Sequence, residues 1–209
     1  MNFVTKTLFA AALFSSSVTF AQILKVQPGT EKIEGVALPA SASTSEGQKL
    51  QFVGAGLRNK KVVMINVKVY IGSLFVTDNT KFKKSEPLKT ITDAAPVAMQ
   101  LHFLRDVDAE KVQTSFKDAL EINKVDIKKP EVQKFLDAVK TGGEAKKGST
   151  FTILGSKRSD GSEVIVYEDS NLKATTISGG AGFLQDIFSI LFGTPSDDGV
   201  AKLKAEILK

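Results

Sequence analysis

Past residue 50 the apolar positions follow two periods, and each period predicts an element. Between 62 and 76 β-branched residues dominate, with Val67, Val69 and Ile71 alternating with Asn66, Lys68 and Tyr70. A period of two predicts a half-buried antiparallel strand there, or two strands joined by a bend. The stretch 97–107 repeats the pattern, with Met99, Leu101 and Phe103 opposite Gln100, His102 and Leu104. Asp108 then offers an N-cap for a helix whose Val112, Phe116, Ala119 and Leu120 recur at helical spacing. Pro130 suits the first turn of a second helix, with Val132, Phe135, Leu136 and Val139 on one stripe and Gly142-Gly143 to stop it.

Three short strands follow over 150–154, 163–168 and 172–178, punctuated by Asp160-Gly161 and Asp169-Ser170-Asn171, and they predict a meander. The run 183–192 is apolar on most sides, which predicts a core helix or one that meets a partner or membrane surface. After Gly193-Thr194-Pro195-Ser196 a last helix carries Val200, Leu203, Ile207 and Leu208. Residues 38–48, rich in Ala, Ser, Thr and Gly, are expected to form a loop between two short extended pieces. Strands in runs, with helices between and after them, predict an α+β fold in which an antiparallel sheet is covered on one side by helices.

The first 21 residues have a different character. Lys6, the apolar run Leu8 to Phe14, a serine patch at 15–17 and the small residues Thr19 and Ala21 form the pattern of a secretory signal peptide cut after Ala21. The run is far short of a bilayer span, which needs about 20 apolar residues. No stable membrane insertion is therefore expected after cleavage, and no Cys is present to carry a lipid anchor. The chain is thus read as a leader, 1–21, and one domain, 22–209, that works in the periplasm or outside the cell and is expected to be a monomer.

Composition narrows the chemistry. With no Cys there can be no disulfide, thiol nucleophile or thiolate metal site, and a single His102 leaves no multi-His metal site and little for a Ser-His-Asp arrangement. No metal or other cofactor is expected. The formal net charge of +5 includes Lys6, and the lysine pairs at 60–61, 83–84, 128–129 and 146–147 are scattered among acids. They read as solvated turn ends, so no nucleic-acid partner is expected.

Gly54-Ala55-Gly56-Leu57-Arg58 is the most informative segment, because two glycines let a backbone approach a neighbour or a ligand closely. Arg58, just beyond them, can turn its planar fork inward to a ligand carboxylate, or pair with a structural Asp or Glu. Tyr70 lies on the polar side of the next strand; its phenol could complete an anion clamp with Arg58, or stand half in the core with its hydroxyl in water.

The stretch from Gly54 to Arg58, the strand Lys68-Val69-Tyr70-Ile71-Gly72-Ser73-Leu74, the strand end Phe103-Leu104-Arg105-Asp106-Val107 and the tail Ile190-Leu191-Phe192-Gly193-Thr194-Pro195-Ser196-Asp197 resemble the chalcone isomerase-like family. The resemblance implies an open-faced β-sandwich, a large antiparallel sheet covered by helices, with a ligand cleft between them. It also implies that Arg58 matches the cleft arginine of that family. The plant isomerases carry a Thr where this chain has Tyr70, whereas the related fatty-acid-binding members pair the arginine with a Tyr to hold a fatty-acid carboxylate. The catalytic Tyr and Asn of the isomerases have no counterpart in 111–119.

The reading that follows is a binding module for a small amphipathic carboxylate, held by Arg58 and Tyr70, with its apolar part against Leu57, Ile71, Phe103 and the 183–192 helix. The alternatives are an intramolecular lyase or isomerase, for which no catalytic base is assigned, and a scaffold whose cleft is closed. His102 titrates near neutrality when unperturbed, but a lone His on a strand is more often structural.

Overall fold

The computed structural model describes residues 22–209, so the leader expected over 1–21 lies outside the described residues. Strands β1 (Leu24–Ile33), β2 (Val36–Thr44), β3 (Lys49–Val62), β4 (Ile65–Val76), β5 (Val97–Phe103), β6 (Thr150–Lys157), β7 (Glu163–Glu168) and β8 (Ala174–Gly179) form one antiparallel sheet in the order of the chain. Helices α1 (Pro87–Thr90), α2 (Ala109–Ile122), α3 (Pro130–Thr141), α4 (Phe183–Phe192) and α5 (Asp198–Ile207) complete the fold. The α+β expectation therefore holds, as an open-faced sandwich. Among the described residues no helix is long and apolar enough to cross a membrane.

Helix periodicity located α2 and α3 correctly. Val112, Phe116, Ala119 and Leu120 are buried on α2, and Val132, Phe135, Leu136 and Val139 on α3. Asp108, expected to cap α2 with its side chain, makes no such bond and instead pairs with Lys111 at 2.5 Å. Helix α4 is core: Phe183, Leu184, Ile187, Phe188 and Ile190 to Phe192 are all buried, which uses its apolar residues on every side.

Two layers sandwich the sheet. On one face the helices cover a main core in which Tyr70, Phe103, Phe151 and Tyr167 form a row of edge-on rings with centroids 5.6, 4.7 and 5.6 Å apart, reaching Phe135 of α3 at 5.9 Å. Such pairs gain from quadrupole geometry as well as from burial. On the other face the β1–β2 hairpin folds back. It is joined to β3 at three rungs only, Ser41 to Ser43 against Lys49 to Gln51, and its Ile23, Leu24 and Ala42 pack with Leu50, Phe75 and Ala98. The Ile23 N–H donates to Glu168 Oε2 on β7 at 2.8 Å, which ties the start of the domain to the far side of the sheet.

Two expectations are corrected here. Residues 38–48 are mostly strand, because β1 supplies hydrogen-bond partners along Val36–Thr44 and small side chains suit a layer pressed against a sheet. The pattern over 62–76 is not one half-buried strand. From Tyr70 to Val76, β4 is buried on both faces, and the preceding residues run out beyond the core to an exposed turn at 63–64.

Candidate functional site

The glycines of β3 are there for a neighbour, and that neighbour is α5. A Cβ on Gly56 would stand 2.7 Å from the Leu203 carbonyl oxygen and 2.8 Å from Glu206 Cβ, and one on Gly54 would overlap the Ile207 carbonyl. Across the ladder, Gly72 pairs with Gly56 and faces the Leu203 and Ile207 side chains. Removing three side chains from one patch lets the helix backbone lie directly on the strands. The Leu57 N–H donates to Glu206 Oε2 at 2.8 Å, which satisfies a strand donor from the helix.

Arg58 follows the glycines and pairs directly across the ladder with Tyr70. A register shift just beyond the pair, between Arg58 and Asn59, marks a β-bulge. Both side chains lie on the helix-covered face. Arg58 is 4% exposed and Tyr70 9%. The guanidinium sits under the first turn of α5, where Gly199 leaves room for it. Arg58 Nη2 donates to Asp197 Oδ2 at 2.5 Å and Nη1 to the Asn59 carbonyl. Asp197 is the N-cap of α5, accepting from the Val200 N–H at 2.9 Å, and its side chain is 42% exposed. Burial pushes the Tyr70 phenol up to about 12, against the pull of the Arg58 charge, and the Asp197 charge adds to the rise. Tyr70 is therefore a neutral hydrogen-bond donor at physiological pH.

The sequence singled out Arg58 and Tyr70, and the structure brings them side by side. It places Tyr70 on the buried face, not on a polar one. Of the apolar residues expected beside them, Phe103 packs on Tyr70, while Leu57 and Ile71 lie one residue out of phase and face the other side of the sheet. Helix α4 packs against α2, α1 and β7, and reaches the site's surroundings through α5. His102, on the face opposite Tyr70, has its pKa lowered by burial. Asp197 is the residue that local sequence reasoning did not connect. An Asp after Pro195-Ser196 signals a helix cap, but nothing local says that it meets an arginine 139 positions earlier. Two surface hollows, ≈ 210 and ≈ 440 Å³, lie elsewhere, beside Asn123 and Ser189 and beside Lys81 and Asp93. Among the described residues no cluster of His, Cys, Asp or Glu is arranged to hold a metal ion.

These features define an open-faced α+β sandwich with a buried arginine–tyrosine pair under its C-terminal helix. The family model described as chalcone isomerase-like matches residues 30–209, and the chain belongs to that family. No curated protein matches significantly. Among solved structures, the crystal structure of a fatty-acid binding protein of Arabidopsis thaliana is similar, with a TM-score of 0.56 and 17% identity over 87% of this chain and 96% of that one. At that identity the likeness is one of fold.

Proposed function

We propose that this protein binds a small amphipathic carboxylate of the fatty-acid type, with the carboxylate on Arg58 and Tyr70 and the apolar part between the sheet and the helices. The observation that carries the reading is a guanidinium that is 4% exposed beside a neutral phenol, and whose acidic partner Asp197 stands half in water on the last helix. A desolvated guanidinium needs an anion, since an unpaired one costs several kcal/mol. Asp197 supplies that anion in the structure described here, and a ligand carboxylate would replace it as α5 shifts. The family membership and the likeness in fold to a fatty-acid binding protein support the same ligand class. We also place the protein outside the cytoplasm, on the leader pattern of residues 1–21.

Titration calorimetry with alkanoates of increasing chain length tests this. Arg58→Ala should abolish binding, and Tyr70→Phe should weaken it about ten-fold, the worth of a hydrogen bond to a charged group. Asp197→Asn keeps a cap and an acceptor but removes the competing anion, so it should tighten binding. Unchanged affinity in Arg58→Ala ends the proposal.

The close seating of α5 and the Arg58–Asp197 pair favour a second reading, a scaffold whose cleft is closed by its own helix. Under that reading Asp197→Asn lowers stability and no alkanoate restores it. Under the first, added alkanoate raises the melting temperature of the variant by mass action.

A further inference from the structure

The outer end of the β3–β4 hairpin serves neither the core nor the Arg58–Tyr70 pair. Residues Lys60 to Asn66 are all exposed, and at their apex Val62, Val63, Met64 and Ile65 are 49, 87, 87 and 68% exposed. Four consecutive apolar side chains at the end of a projecting hairpin are unusual on a soluble domain, where contiguous apolar patches mark contact sites. The backbone sharpens the point. Val63 has φ of +56°, a conformation that Gly or Asn adopts readily and a β-branched residue does not. A turn selected only to reverse the chain would carry Asn or Gly there. This one keeps an apolar side chain at the cost of strain.

The flanking charges indicate the partner. From Asn59 to Val69 the hairpin has Lys60, Lys61 and Lys68 and no acid. Lys68 is engaged by Glu34 at 2.6 Å, which leaves Lys60 and Lys61 beside the apex. An apolar tip collared by cations matches an interface of acyl chains under anionic headgroups.

We propose that the Val62–Ile65 tip docks this protein peripherally on an anionic lipid bilayer, the apex entering the headgroup boundary and Lys60 and Lys61 lying against the headgroups. Docking stands independently of the ligand reading. Where both hold, Arg58 lies four residues down the strand from Val62, about 13 Å from the lipid surface at strand rise, so an amphipathic carboxylate could pass between membrane and protein.

The chain has no Trp, so Met64→Trp gives a single reporter at the tip. With vesicles of phosphatidylcholine and phosphatidylglycerol its emission should shift to the blue and be quenched by brominated lipid, and with phosphatidylcholine alone the shift should be much weaker. In flotation, Val63→Asn with Met64→Ser should lower vesicle partition about ten-fold, from the apolar area lost, against the wild-type chain carrying the same first 21 residues. Thermal unfolding of that double variant should stay at or above wild type, because Asn relieves the strained turn. Lys60→Glu with Lys61→Glu should remove the preference for phosphatidylglycerol. An emission that stays water-like with both vesicles overturns the proposal, as does tip crosslinking to a protein partner without vesicle binding.

Discussion

Arg58 and Asp197 form one ion pair in two different environments, and the cost of breaking it depends on which partner is removed. The arginine is 4% exposed and the side chain of the aspartate 42%. Asp197→Ala leaves a buried guanidinium without an anion and α5 without a cap, which should cost roughly 3 kcal/mol in urea denaturation. Arg58→Met leaves only a half-solvated carboxylate and fills the space with apolar atoms, so its cost should be below about 1 kcal/mol. Equal losses in the two variants would mean that the guanidinium is better solvated than its exposure indicates. The composition of 54–58 marked Arg58 in advance, and the alternation of the next strand marked Tyr70, with the family resemblance pairing the two. Asp197 was not legible, because a cap is a local signal and an ion pair across 139 residues is not.

The decisive element is α5, and its place is set by what β3 lacks. Gly56→Ala puts a methyl 2.7 Å from the Leu203 carbonyl oxygen and 2.8 Å from Glu206 Cβ. Backbone on one side cannot yield as a side-chain tip would, so α5 must lift, also stretching the bond from the Leu57 N–H to Glu206. The expected loss is about 1–3 kcal/mol, as for other overpacked sites, read from the midpoint of urea denaturation. Faster hydrogen exchange confined to 198–207 would show that the helix itself has moved. At this scale the amphipathic helices were legible, since a 3.6-residue stripe needs only local geometry. The outer hairpin was not. Val62 to Ile65 have the β-branched character of a buried strand, yet nothing in the described structure covers them.

Across the whole molecule, the β1–β2 layer is fastened to the sheet by apolar packing and by the Ile23 N–H bond to Glu168. Burial raises the Glu168 pKa, Asp169 adds to the rise, and the Ile23 N–H works against it. The folded chain therefore holds that proton more tightly than the unfolded chain. The contribution to stability is full below the unfolded carboxylate value, about 4.3, and falls as pH rises through the higher folded value. Glu168→Gln keeps an acceptor for Ile23 and carries no charge, so its melting temperature should equal or exceed wild type at pH 7, with the difference closing towards pH 4. Melts over a pH series check this, and a variant less stable than wild type at pH 7 would show that the carboxylate is better compensated than its contacts indicate. By itself the sequence determined which segments from residue 97 onward are strand or helix, the α+β class, the stripes that α2 and α3 bury, and the arginine and tyrosine that the ladder makes neighbours. Periodicity and turn residues report local backbone geometry, and geometry is enough for those conclusions. Tertiary structure alone decided that β1–β2 covers the back of the sheet, that Asp197 closes over Arg58, and that Val62 to Ile65 stand in solvent, because burial depends on what distant chain is brought alongside.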